Sequence, residues 1–151
     1  MIFKKWSFNK PFKQSRNKSK MPSIFTKIVN REIPAHIVAE TTEFLAFLDI
    51  NPLAAGHTLV IPKKEVDYLF DLDDETYTGL CIFAKIVAKG IEKVIQCERI
   101  GVTVIGLEVP HAHIHLIPIN GVNDMNFSKP KLKMGQEELA AIATSIREAL
   151  K

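Results

Sequence analysis

The 151-residue chain is poor in cysteine, having only Cys81 and Cys97. Two are too few for a disulfide scaffold, and they lack the CxxC spacing of zinc or redox sites. A reduced, cytoplasmic setting is therefore expected. No uninterrupted apolar run approaches the roughly 18 residues of a membrane span. An apolar stretch behind the lysine-rich start is also missing, since Lys4-Lys5 runs into Trp6-Ser7-Phe8-Asn9-Lys10. That start does not read as a secretory signal. No internal repeat divides the chain, and no second core is visible. What remains, 46% hydrophobic and 25% charged, is an ordinary globule long enough for a core of its own.

Acidic residues are absent from residues 1–22, which hold Lys4, Lys5, Lys10, Lys13, Arg16, Lys18 and Lys20. These seven positive charges leave the rest of a +3 chain with a net −4. A mildly acidic body lacks the basic face of a nucleic-acid-binding domain, so no nucleic-acid partner is expected. Residues 1–22 read as a disordered extension, or as an upstream start ahead of Met21. A basic arm for nucleic acid or a membrane surface is the alternative.

The domain is expected over residues 23–151. Ile24 or Phe25 with Ile28 has helical spacing, and Pro34 limits that helix. Three short strands follow at 37–40, 44–49 and 57–61, with the breaker-rich run Asn51-Pro52-Leu53-Ala54-Ala55-Gly56 before the third. Asp73 or Asp74 caps a long helix in which Leu80, Phe83, Ala84, Val87, Ile91 and Val94 make one apolar stripe, weakened at Gly90. Strands are expected at about 100–105 and 111–117, then a helix over about 136–150 carrying Leu139, Ile142, Ala143, Ile146 and Leu150. Consecutive strands with short links favour antiparallel pairing, so the class is α+β.

The informative segment is Pro110-His111-Ala112-His113-Ile114-His115-Leu116-Ile117. On a strand, His111, His113 and His115 project to one side, roughly 6.5–7 Å apart, and Ala112, Ile114 and Leu116 to the other. Three adjacent imidazoles are costly unless used, because charging one disfavours charging its neighbours. His36, alone after Pro34-Ala35, reads as a surface histidine. The triad has two possible chemistries: a zinc site with one further ligand, or a nucleophilic imidazole acting on phosphorus. Either can draw on His57. The lack of an acidic or cysteine cluster near the triad tips the balance slightly away from metal.

His-Ala-His-Ile-His-Leu-Ile resembles the signature of the histidine triad family of nucleotide hydrolases and transferases. The similarity extends over Ile24-Phe25 to Pro34, Phe44 to Pro52, and Gly56 to Lys64, and so spans about residues 23–118. His115 stands where the uridylyltransferase branch has Gln, which argues against that branch. The resemblance implies a five-stranded antiparallel sheet with helices, paired into a homodimer. It implies that His113 attacks the α-phosphorus of a nucleotide, forming a nucleotidyl-histidine that water resolves. Its other nitrogen then holds the proton against a backbone carbonyl. By the same resemblance His115 and His57 contact the phosphate, His115 helps the leaving group depart, and His111 holds ring orientation. Asp49 accepts the ribose hydroxyls, although an aspartate before Asn51-Pro52 also reads as a turn cap. Ile24, Phe25, Ile28, Phe47 and Ile50 sandwich a purine, or are simply core. Neither metal nor cofactor is needed.

Two departures stand out. Ser23 and Thr26 replace the Cys-x-x-Cys of a structural zinc site in many bacterial members, so no such site is expected here. The loop 101–108 is short and apolar, with Leu107 where the family has Gln. That bears on efficiency and leaving-group preference, not on the attack by His113. The expected activity is a purine nucleotide hydrolase of phosphoramidase type, acting on AMP-type substrates. The alternatives are dinucleoside polyphosphate hydrolysis, a nucleotide-binding or interaction module with weak catalysis, and a zinc-dependent enzyme.

Overall fold

The computed structural model describes residues 21–151. The basic extension expected over residues 1–22 lies, but for its last two residues, outside them. Helix α1 (Ile24–Val29) leads into strands β1 (Ile37–Glu40), β2 (Phe44–Leu48) and β3 (Thr58–Pro62). Then come α2 (Asp74–Val94), β4 (Arg99–Thr103), β5 (Ile114–Ile119) and α3 (Gln136–Ala149). Single 3-10 turns at Leu69–Asp71 and Val122–Met125 have no counterpart among the elements expected from sequence. The strands form one sheet, in the order β1-β2-β3-β5-β4, and each neighbouring pair is antiparallel.

Every residue of β2 and β3 is buried, because the sheet is covered on both faces. Phe44, Ala46 and Leu48 of β2 and Val60 of β3 pack with α2 and α3, where Leu80, Val87, Ile91 and Ile146 complete the larger core. Leu45 and Phe47, with Leu59 and Ile61 of β3, face the other way and meet Phe25 and Ile28 of α1. Strands buried on both faces lose polar-apolar alternation, so β2 and β3 read as nearly continuous apolar runs.

The caps follow the sequence. Asp73 is the N-cap of α2, its carboxylate accepting the Thr76 N–H at 2.8 Å. Gly90, a weak point by propensity, sits where α3 closes on α2: a Cβ there would lie 2.6 Å from a methyl carbon of Leu150. Gly56 has φ +82, in the left-handed region, and turns the chain into β3 immediately before His57.

One strand is displaced in a way that matters. The segment expected to pair from residue 111 begins pairing only at Ile114. Pro110 has no N–H, the His111 N–H is spent on Val109 O at 2.8 Å, and the Ala112 N–H donates to Val66 O at 2.7 Å. A local bond to Val109 and a bond to the loop after β3 thus take the His111 and Ala112 N–H groups away from the ladder. Of the three histidines only His115 stands on a strand.

Candidate active site

A cleft of about 380 Å³ opens between α1, the end of β2, the loop 105–109 and the triad segment. All six expected binding residues line it: Ile24, Phe25, Ile28, Phe47, Asp49 and Ile50. Phe25, Ile28 and Phe47 are buried, with the Phe25 ring edge-on to Phe47 at 5.4 Å and to His113 at 5.1 Å. Ile24 and Ile50 instead stay open to solvent, 51% and 59% exposed, two apolar side chains the core has not absorbed. His36 lies outside the cleft, its Nε2 within 2.8 Å of Gln136 Oε1.

The cleft also holds His113 and His115, whose ring centroids are 4.9 Å apart. A carbonyl can only accept and a backbone N–H can only donate, so the hydrogen bonds fix each tautomer. His113 Nδ1 is 2.6 Å from His111 O, so Nδ1 carries the proton and Nε2 the lone pair. The Leu53 N–H donates to His57 Nδ1 at 3.1 Å, which puts the His57 proton on Nε2. That Nε2–H donates to His115 Nδ1 at 3.0 Å, so the proton of His115 lies on its own Nε2. The two cleft histidines are complementary. One offers a bare nitrogen and the other an N–H.

The other two site histidines do not line the cleft. His57 is 1% exposed and stands behind His115, to which its Nε2–H donates. His111 is fully buried, with its Nε2–H on Pro62 O at 2.7 Å and its Nδ1 2.9 Å from Ser23 Oγ. What it presents to His113 is its main-chain carbonyl.

Burial, then the neighbouring His113 and His57, push His115 down to about 3 against the opposing Asp49, with a smaller push from Lys131. Burial and Lys131 bring His57 down to about 4. Both rings are therefore neutral at neutral pH. Asp49 Oδ2 lies 3.8 Å from His57 Nδ1, but that nitrogen is neutral and already accepts from Leu53, so the pair is not ionic. Asp49 Oδ1 takes the Asn51 N–H at 2.8 Å, the turn-capping use, while the carboxylate still lines the cleft.

Asp49, His57 and His115 bring potential ligand atoms within 4.8 Å of one another. A cation there would displace the Leu53–His57 and His57–His115 hydrogen bonds, so this donor set fits a metal poorly. At the bacterial zinc position, Ser23 and Thr26 supply hydroxyls in place of thiolates, which are the softer ligands zinc takes readily. Both are hydrogen-bonded within the protein.

Sequence reasoning missed Phe127 and Lys131, which fold back over the site. The Phe127 ring lines the cleft, 5.0 Å from His115, and the Lys131 ammonium sits 4.7 Å above it while donating to Phe127 O at 3.0 Å. The Leu132 N–H ties this segment to Pro52 O at 2.8 Å. No local pattern marks these residues, because their positions come from a long-range return of the chain.

A five-stranded antiparallel sheet with helices and an imidazole cluster beside an apolar cleft defines an α+β class that comparison with known proteins narrows. The HIT domain family model matches residues 30–121. The chain belongs to the histidine triad (HIT) family. It is 35% identical over 134 residues to an adenosine 5'-monophosphoramidase of Schizosaccharomyces pombe, covering 87% of this chain and all of that one. An uncharacterized HIT-like protein of Methanocaldococcus jannaschii is 43% identical over 102 residues, 63% of this chain and 77% of that protein. Among solved structures, a HIT-like protein from Bartonella henselae superposes with TM-score 0.73 at 35% identity, covering 84% of this chain and 95% of that one.

Proposed function

We propose that the chain is a nucleotide hydrolase of phosphoramidase type, cleaving an AMP-linked amine at the α-phosphorus. The observation that carries this reading is the 2.6 Å contact of His113 Nδ1 with His111 O, which leaves a bare Nε2 in the cleft beside the N–H of His115. Phe25, Ile28 and Phe47 make an apolar slot for a purine, with Ile24 and Ile50 at its mouth and Asp49 accepting ribose hydroxyls.

In the first half-reaction the His113 lone pair forms an N–P bond as the P–N bond to the amine breaks with its electrons on the amine nitrogen. The positive charge that develops on the His113 ring is met by the carbonyl of His111. His115 donates from Nε2 to the phosphoryl group, held in that tautomer by His57. In the second half, water's oxygen replaces His113 on phosphorus and the N–P bond breaks. The departing amine takes a proton from His115 Nε2 as the P–N bond breaks, and the attacking water returns one to that nitrogen in the second half, so over the cycle one water supplies the hydroxyl of AMP and the proton of the amine.

Polyphosphate leaving groups fit less well. No Lys or Arg lines the cleft among the described residues, and its charged walls are Asp49 and Glu108. A panel of adenosine phosphoramidates, dinucleoside polyphosphates and AMP esters decides between the readings. The expected result is fastest hydrolysis of phosphoramidates, AMP trapped on His113 by mass spectrometry, and no change in rate after dialysis against a chelator. Activity lost with the chelator and restored by zinc would make the enzyme zinc-dependent and overturn the metal-free mechanism. Tight AMP binding without turnover of any substrate would leave a binding module.

The reading includes a homodimer. Strand β4 is a sheet edge with Val102 61% exposed, and α2 leaves Ile82 and Ile86 open one turn apart. An unpaired edge beside exposed apolar side chains suits a self-complementary two-fold contact. Sedimentation of the full chain should give twice the chain mass, and Ile82→Asp with Ile86→Asp should give the monomer; a monomeric wild type ends this part. A cytoplasmic setting goes with the unpaired thiols of Cys81 and Cys97.

A further inference from the structure

Residues 62–66, the end of β3 and the start of the loop after it, grip the segment His111–Ala112 at three points. Pro62 O accepts the His111 Nε2–H at 2.7 Å, and Val66 O accepts the Ala112 N–H at 2.7 Å. The third hold is indirect and runs from the Glu65 carboxylate through the start of α1. Glu65 Oε2 accepts the Ser23 N–H at 2.9 Å and the Thr26 hydroxyl proton. Ser23 Oγ accepts the Thr26 N–H at 3.1 Å and lies 2.9 Å from His111 Nδ1.

Proton counting makes Glu65 decisive. His111 Nε2 already carries that ring's proton, so Nδ1 needs a donor, and two hydroxyls compete for the place. Thr26 Oγ1 lies 3.4 Å from Nδ1 and 3.2 Å from Ser23 Oγ. A carboxylate has no proton to give and must accept from Thr26. The Ser23 proton is then directed at His111 Nδ1.

We infer that Glu65 is a positioning residue for catalysis, acting through Thr26 and Ser23 on His111 so that the His111 carbonyl is held where it fixes the tautomer and aim of His113. Burial favours the protonated acid at Glu65, but the Thr26 and Ser23 hydrogen bonds, with a smaller contribution from the His111 ring, outweigh it and hold the group below the usual carboxylate range. The acceptor is therefore ionised at neutral pH. This inference rests on the phosphoramidase reading for its kinetic readout but not for its spectroscopic one.

Glu65→Leu removes the acceptor, Glu65→Gln keeps a carbonyl oxygen that can accept both bonds, and Thr26→Val removes the hydroxyl at nearly constant volume. With an adenosine phosphoramidate, Leu and Val should lower kcat about 10- to 100-fold, the scale of a slightly misplaced reacting group. KM should stay within about threefold, because the apolar slot and Asp49 are untouched. Glu65→Gln should restore kcat to within about threefold of wild type, as expected when acceptance rather than charge is the requirement. Imidazole ¹⁵N spectra should give Nδ1–H for His113 and Nε2–H for His111 in wild type and Gln, and mixed tautomers in Leu and Val. Wild-type kcat and unmixed tautomers in folded Thr26→Val or Glu65→Leu would overturn the inference, as would failure of Gln to rescue either readout. An inactive wild type with the expected tautomer shifts would sink the phosphoramidase reading and leave the Glu65 network standing.

Discussion

Replacing His113 by alanine is expected to abolish hydrolysis of an adenosine phosphoramidate, a loss on the order of 10⁴-fold or more. Affinity for AMP should weaken by no more than about tenfold, or 1.4 kcal/mol. The asymmetry follows from where the contacts lie. In the proposed mechanism His113 Nε2 supplies the bond to phosphorus, and no other ring is placed to do so: His115 presents an N–H, and His57 and His111 are buried behind the surface. Binding draws instead on Phe25, Ile28, Phe47 and Asp49, none of which is altered. Its modest cost comes from the edge contact of Phe25 with the His113 ring at 5.1 Å. Single-turnover kinetics with isothermal titration separates the two effects. A His113→Ala variant that turns over at the wild-type rate, or an AMP adduct on another histidine, refutes the assignment.

The second large effect is on stability against acid. His57 and His115 have pKa values of about 4 and 3 in the folded chain, against about 6.5 when unfolded. Between these values the unfolded state binds more protons, so stability rises with pH across the window. It is fully present above about pH 6.5 and is lost as pH falls towards 4 and then 3. Two extra protons on the unfolded chain correspond to about 2.7 kcal/mol per pH unit in the middle of the window, an upper slope for independent groups. Carboxylates held below their usual range, Glu40 by its hydrogen bond with Lys63 and Asp73 by the Thr76 N–H, extend the loss further into acid. Urea midpoints measured from pH 8 to pH 4 should be level down to about 6.5 and then fall steeply. A level profile to pH 5 would mean that the two rings are not held neutral by burial.

Local chemistry made much of the fold legible. Helical periodicity, caps and breakers mark α2 at Asp73 and set off the three short strands after α1, because those signals act within a few residues of the chain. The start of β5 is not legible in the same way, because alternation describes side chains, whereas pairing depends on where backbone N–H groups go. Those of His111 and Ala112 go to Val109 and Val66. The four site histidines and Asp49 were visible as residue types, and the structure brings them together, but their order in depth was not visible. Nothing local says that His57 stands behind His115, that Phe127 and Lys131 close over them, or that Ser23 and Glu65 hold His111.

By itself the sequence determined the element types, the apolar faces and the chemistry available, since these follow from residue identity and short-range periodicity. Only the tertiary structure decided which nitrogen of each ring holds its proton, which rings meet the cleft and which support them. A tautomer is set by the donor or acceptor opposite it, and here the His111 carbonyl, the Leu53 N–H and the Ser23 hydroxyl are brought into place by the folding of the whole chain.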